Sequence, residues 1–375
     1  MNAAWFASFD LSPLLRLASL GMLLGCGPLL WLHLRHRGVA PAARLRALTL
    51  LTLFLCFDLV LFGAYTRLTD SGLGCPDWPG CYGSASPIGA SLEIHAAQAA
   101  IPTGAVTHGK SWVEMIHRYL ATAVGFLILV LCGMSWRLAR VRGTQTGRAP
   151  SPWWATLTLV WVCMQGAFGA LTVTMKLFPA IVTLHLLGGL GLLMLLAIQA
   201  QAYRPQPLVL SSTLRRLVWI VLALCIAQIT LGGWVSTNYA VLACSDFPQC
   251  QGQWWPAMDF EHGFTLWREL GVGHDGQWLP FSALTAIHFV HRLGAVLALS
   301  ALLLLAWRLL RSGAADGRAW AMRLALIAAW QCASGLSNVV LDWPMLGALA
   351  HTGGAATLVL CLSLMLSRMH QARRL

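Results

Sequence analysis

Charge is scarce in this sequence. Only 10% of its 375 residues are Asp, Glu, Lys or Arg, and 58% are hydrophobic. Soluble domains carry about 25% charged residues, so a water-covered globular fold is excluded. Strict apolar–polar alternation, the mark of a membrane barrel, is also missing. Apolar runs of about twenty residues or more stand in its place, and such runs cross a bilayer as helices. The net charge of +12 does not describe a nucleic-acid surface, because the basic residues fall in short clusters between apolar runs and set topology. No Arg- and Ser-rich amphipathic presequence precedes the first run, so the expected location is the bacterial cytoplasmic membrane rather than a mitochondrion.

The expected fold is all-α, a polytopic membrane protein of about nine transmembrane helices. The spans fall near 11–34, 47–67, 112–136, 153–175, 180–203, 217–237, 285–310, 324–341 and 345–368. The first is a retained helix rather than a signal peptide, because Asp10 precedes it and the positive charge of Arg35, Arg37, Arg44 and Arg46 follows it. The other arginine-rich connections hold Arg137, Arg140, Arg142 and Arg148, then Arg204 to Arg216, then Arg311 to Arg323; Arg373 and Arg374 close the chain. All then lie on the inner side, with the N-terminus outside. Asp58 sits within the second span and is expected to face protein, since an isolated acid in lipid is costly.

Histidine is the chemistry-bearing residue inside these spans. His117, His185, His291 and His351 each follow the start of an inward-running span by a few residues, which puts them at a common depth of roughly 8–10 Å below the outer surface. A single such residue is ordinarily an interior hydrogen bonder. Four at one depth on alternate helices point to axial ligation of haem iron by neutral imidazole. Zinc fits less well, because no clustered Cys, acid or second His surrounds each position.

The chain also repeats itself. Cys75-Pro-Asp-Trp-Pro-Gly-Cys81 corresponds to Cys244-Ser-Asp-Phe-Pro-Gln-Cys250 at an offset of 169 residues. Gln165 and Gly169 precede His185 as Gln331 and Gly335 precede His351, and His117-Arg118 corresponds to His291-Arg292. The core is therefore expected to be two pseudo-repeated four-helix bundles, with divisions at 1–46, 47–205 and 206–375. His117 pairs with His185 and His291 with His351. One position breaks the symmetry: Glu114, one turn before His117, is replaced by His288. Seven of the eleven cysteines lie in apolar spans, as small buried residues do. The other four form two outer pairs, which an oxidising exterior would close as disulfides; a redox-active pair is the alternative. Arg67, Arg118, Arg292 and Lys176 share the outer level, where they either meet haem propionates or extend to the interface.

Three stretches resemble the haem A synthase family: Thr66 to Pro79 (TRLTDSGLGCPDWP), Glu114-Met115-Ile116-His117-Arg118, and Ala243 to Pro248 (ACSDFP). The paired histidines of each half add to the likeness, which runs from about residue 50 to 366. It implies a membrane oxidoreductase that converts haem O to haem A by oxidising the C8 methyl to a formyl group, for terminal oxidases. It further implies haem b as cofactor on His291 and His351, substrate haem O on His117 and His185, and Glu114 as the catalytic carboxylate. Arg118 is expected at the substrate. Haem O, membrane lipid, the haem O synthase and an electron acceptor are the expected partners, with a homo-oligomer left open and no nucleic acid. The first helix and the long outer loop 238–282, with Trp254, Trp255, Trp267 and Trp278, depart from the family pattern.

Two rival functions use the same ligands. A dihaem electron-transfer cytochrome would hold both haems permanently, and a haem carrier would bind without turnover. The Glu114/His288 asymmetry favours the enzyme.

Overall fold

The computed structural model describes residues 12–142, 150–273 and 276–373. Asp10, Leu11, Arg148 and Arg374 lie outside the described residues. Eleven α-helices are present: α1 (Ser12–Arg35), α2 (Pro41–Leu68), α3 (Ser91–Ala100), α4 (His108–Arg142), α5 (Pro152–Thr174), α6 (Pro179–Ala202), α7 (Ser212–Thr237), α8 (Phe260–Gly263), α9 (Phe281–Leu310), α10 (Gly317–Val340) and α11 (Met345–Ala372). Among the described residues nine of them have 23 or more residues, and no strand longer than an isolated bridge occurs. Eight of the nine are long and apolar enough to cross a membrane, α10 standing outside that set. The protein is therefore a polytopic membrane protein built of helices.

Local sequence explains the helix starts. Pro41, Pro152 and Pro179 open α2, α5 and α6 at the position where a missing N–H costs nothing. Ser211 caps α7 by accepting from Leu214 N at 3.3 Å. Packing runs round two rings, α2–α4–α5–α6 and α7–α9–α10–α11, which meet along α6, α7, α11 and α2. The first helix, α1, lies against α4, with Gly21 and Gly25 facing Thr122 and Phe126. Leu127, Ile128, Leu131, Leu193 and Leu196 fill the core of the first ring, and Val218, Leu302, Leu305, Leu324, Leu362 and Met365 that of the second.

Three details differ from expectation. Helices α4 and α9 begin earlier than their apolar windows, so His117 is nine residues after His108 and His291 ten after Phe281, whereas His185 and His351 are each six residues in. Polar residues such as Lys110 and Ser111 carry α4 upward beyond the hydrophobic stretch. Asp58 does not face protein: it is exposed on α2, on the stripe of exposed Leu50 and Phe54, with no partner among the described residues. Of the seven free cysteines, Cys26, Cys163 and Cys332 are exposed on outward helix faces rather than buried.

The repeat reaches the backbone. Positive φ occurs at Asp70, Tyr82 and Gly83, and again 169 residues on at Tyr239, Gln251 and Gly252. Lys176 and Leu177 in the α5–α6 turn have the same geometry as Asp342 and Trp343 in the α10–α11 turn. Non-glycine residues take such angles rarely, so their matched recurrence marks one turn design used twice.

Candidate functional site

The N-terminal ends of α4 and α9 carry two cystine loops. Cys75 is bonded to Cys81 and Cys244 to Cys250, and all four are buried. Inside the first loop the Asp77 carboxylate accepts from Tyr82 N at 2.6 Å and Gly83 N at 2.8 Å; inside the second, Asp246 accepts from Gln251 N at 2.7 Å and Gly252 N at 2.8 Å. Those backbone N–H groups, Gly252 first, hold the Asp246 carboxyl below its ordinary value.

Each loop is fastened to the helix below by an arginine. Arg118 donates through Nη1 to Asp77 O (3.1 Å), Pro79 O (3.2 Å) and Gly80 O (2.5 Å). Arg292 donates to Asp246 O (2.8 Å), Gln249 O (2.8 Å) and Cys244 O (2.6 Å). Both guanidiniums are thus committed to loop carbonyls, and Arg67 is committed to Asp70 (3.1 Å) and the Ser236 carbonyl. Of the four basic residues expected near propionates, only Lys176 is exposed and without a partner among the described residues.

Glu114 and His288 do different work beside those arginines. The Glu114 carboxylate, 4% exposed, accepts from Cys75 N at 2.8 Å through Oε2 and from Arg118 Nη2 at 2.5 Å through Oε1. It is a buried carboxyl group paired with a guanidinium. His288, equally buried, donates from Nδ1 to Ala240 O at 3.0 Å and accepts from Arg292 Nε at 3.3 Å through Nε2. Its two bonds fix a neutral tautomer. The first half therefore places a carboxyl group at this level where the second places an imidazole. Gly74 completes the fastening: a Cβ there would strike the Lys110 backbone, and its carbonyl accepts from Ser111 Oγ at 2.6 Å.

Below the loops lie the four histidines. His117 and His185 stand close enough to interact electrostatically, and so do His291 and His351, each pair within one ring of helices. A glycine on a neighbouring helix faces every ring. A Cβ would come to 3.1 Å of His117 Nε2 at Gly63, 3.5 Å of His185 Cε1 at Gly169, 3.0 Å of His291 Cε1 at Gly232 and 3.1 Å of His351 Cε1 at Gly335. The glycines clear room for the four imidazole rings. Two nitrogen donors per site, with no cluster of three or more potential ligands among the described residues, is the donor set of a haem's two axial positions. The residues present therefore fit haem in both halves.

Comparison with known proteins decides the relationship. Residues 46–363 match the family described as COX15-CtaA, cytochrome oxidase assembly protein. The chain belongs to that family. Among its relatives, the haem A synthase of Shewanella oneidensis is 40% identical over 316 residues, covering 83% of this chain and 92% of that one. The haem A synthase of Chelativorans is 31% identical over 327 residues (79% and 82%), and that of Halalkalibacterium halodurans 27% over 299 residues (77% and 85%). The family match starts at residue 46, within the second turn of α2, and so leaves α1 outside it.

Sequence reasoning missed Gly63, Gly232, Gln228 and Ser334. The first two stand at the repeat offset of 169 residues and were findable from it. Gln228 and Ser334 break the repeat, and only the packing shows what they touch.

Proposed function

We propose that this protein is a haem A synthase that oxidises the C8 methyl of haem O to a formyl group. The observation that carries the proposal is the two pairs of buried histidines, each ring opposed by a glycine, together with a buried carboxylate at one pair only. Sequence similarity to haem A synthases supports it. The substrate haem is assigned to His117 and His185, beside Glu114, and haem b to His291 and His351. Haem b bound there would supply a one-electron relay.

What the chain itself contributes follows from the geometry. His117 and His185 orient the substrate between α4 and α6. Oxidising a methyl group withdraws electrons and leaves positive charge and protons behind. Glu114 lies one helical turn from His117 and is paired with Arg118 in an apolar span. A carboxylate there stabilises positive charge developing on the substrate and accepts a proton leaving it. Arg118 acts on the substrate through the cystine loop it holds, not through a free guanidinium. His288 and Arg292 give the second half the same loop without the carboxyl group, which suits a site where no bond is made or broken.

The charge pattern supports an orientation with N-terminus and cystine loops outside, in a bacterial inner membrane, with haem O, lipid and an electron acceptor as partners. The function is tested by extracting and chromatographing the pigments of the purified protein. Haem O and haem A beside haem b are expected. Two haem b per chain would instead make it a dihaem cytochrome, and one unchanged, loosely held haem would make it a carrier.

A further inference from the structure

The two histidine pairs differ at the ring nitrogen that faces away from a metal. His351 Nδ1 lies 3.0 Å from Ser334 Oγ, whose own proton goes to Trp330 O at 2.7 Å, so the serine meets the ring as an acceptor. The serine contact therefore assigns the proton to Nδ1 and leaves Nε2 bare for iron. Gln331 packs along the same edge: with its amide turned to accept from Ala355 N at 2.7 Å, its nitrogen faces His351 O at 3.1 Å and Nδ1 at 3.0 Å. At His291 the polarity is reversed: Gln228 Nε2 donates to the His291 carbonyl at 3.0 Å and meets Nδ1 as a donor at 2.9 Å. The first half keeps Gln165 at the place of Gln331 but lacks the other two. Phe168 stands where the repeat puts Ser334, and Leu59 where it puts Gln228. His185 Nδ1 is buried with no hydrogen-bond partner, and among the described residues His117 has only the flat contact of Phe62, centroids 6.3 Å apart.

A hydrogen bond to the remote nitrogen fixes the tautomer and ring orientation of a ligating histidine and raises its basicity. We infer that Ser334 is a positioning residue which makes His351 a permanent axial ligand, whereas Phe168 leaves the His185 imidazole free to turn, so that haem can enter and leave. The difference between cofactor site and substrate site thus lies in the second layer, not in the four ligands. A substrate site must release its product, and an imidazole with an untethered Nδ1 surrenders its iron more readily than one held on both sides. This deepens the proposed function and rests on it.

The test uses the purified holoprotein and reads haem retention and redox behaviour. Ser334→Ala should still bind haem b but lose it to an apomyoglobin scavenger roughly 10–100-fold faster than wild type, with a higher midpoint potential as the imidazole loses basicity. Ser334→Thr, which keeps the oxygen, should restore both. The reciprocal change, Phe168→Ser, should slow release of haem O added as a second equivalent by about tenfold or more. Haem b release and potential unchanged in Ser334→Ala, or Ser334→Thr behaving as Ser334→Ala does, would overturn the assignment. If Ser334→Ala does not accumulate, Phe168→Ser decides alone, and unchanged release from it is the overturning result. A wild type that takes up no second haem defeats the proposed function itself, a different outcome from either.

Discussion

Asp70 and Tyr239 are equivalents in the internal repeat, and they touch each other: Tyr239 Oη donates to Asp70 Oδ1 at 2.6 Å. Arg67 and Ser236 are equivalents too, and the Arg67 guanidinium bonds the Ser236 carbonyl while lying 3.9 Å over the Tyr239 ring. Contacts between equivalent positions occur only where a pseudo-twofold axis passes. The pivot between the two halves is therefore this clasp, with the two histidine pairs disposed about it. Burial first, then the bond to Asp70, holds the Tyr239 hydroxyl above its ordinary value against the opposing charge of Arg67, so it remains a donor.

Tyr239→Phe keeps the ring under Arg67 and deletes the bond to Asp70, and should cost about 1 kcal/mol or less, since the tyrosine is 41% exposed. Tyr239→Ala removes the cation–π contact as well and should cost about 0.5–1 kcal/mol more. Thermal unfolding of the detergent-solubilised protein measures both. Equal losses would mean that the ring contributes nothing to the clasp.

The division of labour predicts two classes of histidine variant. His291→Ala and His351→Ala should lose stable haem b and haem A formation together, because an axial position is vacated at the cofactor. His117→Ala and His185→Ala should keep haem b and form no haem A. Absorption spectra and pigment chromatography of the four proteins check this. Haem b lost equally from all four would reverse the assignment of the halves.

Much of this site was legible in the sequence because an ionisable residue in an apolar run is conspicuous. His117, His185, His291 and His351 could be found without a fold, and the cysteine pairs through their repeated spacing. What surrounds them could not. A glycine or serine in a membrane helix is ordinary, and nothing in a linear reading says that Gly63 faces His117 or that Ser334 meets His351 Nδ1. Glu114 reads as a residue of its own helix, yet one of its two partners is Cys75 N, 39 residues away. Arg118 and Arg292 seemed free for propionates because backbone carbonyls of a loop leave no mark in sequence. Asp58 was expected to face protein on energetic grounds, and the stripe of α2 it occupies is set by packing that composition does not encode.

The second cystine loop should be acid-sensitive. Asp246 has its pKa depressed by the Gly252 and Gln251 N–H groups, so its bonds stabilise the loop above the ordinary carboxylate value and are lost as pH falls through the lower folded-state value. Reduction of Cys244–Cys250 by a water-soluble phosphine should therefore accelerate below about pH 4. Asp246→Asn should be fast throughout and insensitive to acid. A wild-type rate with no acid limb would show that the loop is held by Arg292 and the disulfide alone.

Glu114 is where anchoring and chemistry can be separated. Its two oxygens each accept from a different donor, Cys75 N and Arg118 Nη2. Glutamine has one acceptor and one donor end, so Glu114→Gln leaves one of those donors facing an N–H. The structural loss is about 1–3 kcal/mol, felt as lower thermal stability and easier reduction of Cys75–Cys81. Neither effect by itself stops turnover. If the carboxylate also stabilises charge or takes a proton during methyl oxidation, haem A formation should fall by roughly 10²–10⁴-fold while haem b and the membrane level of the protein are kept. The second outcome is expected, because at this one level the halves differ in side chain and the carboxyl group lies beside the pair assigned to substrate. The measurement is pigment chromatography from cells producing Glu114→Gln, with protein level and haem b as internal controls. A partly oxidised haem accumulating in that variant would locate the defect in the later oxidation. Normal haem A with a loosened loop would make Glu114 an anchor only, and the case for chemistry at the first histidine pair would then rest on the pigments of the wild type.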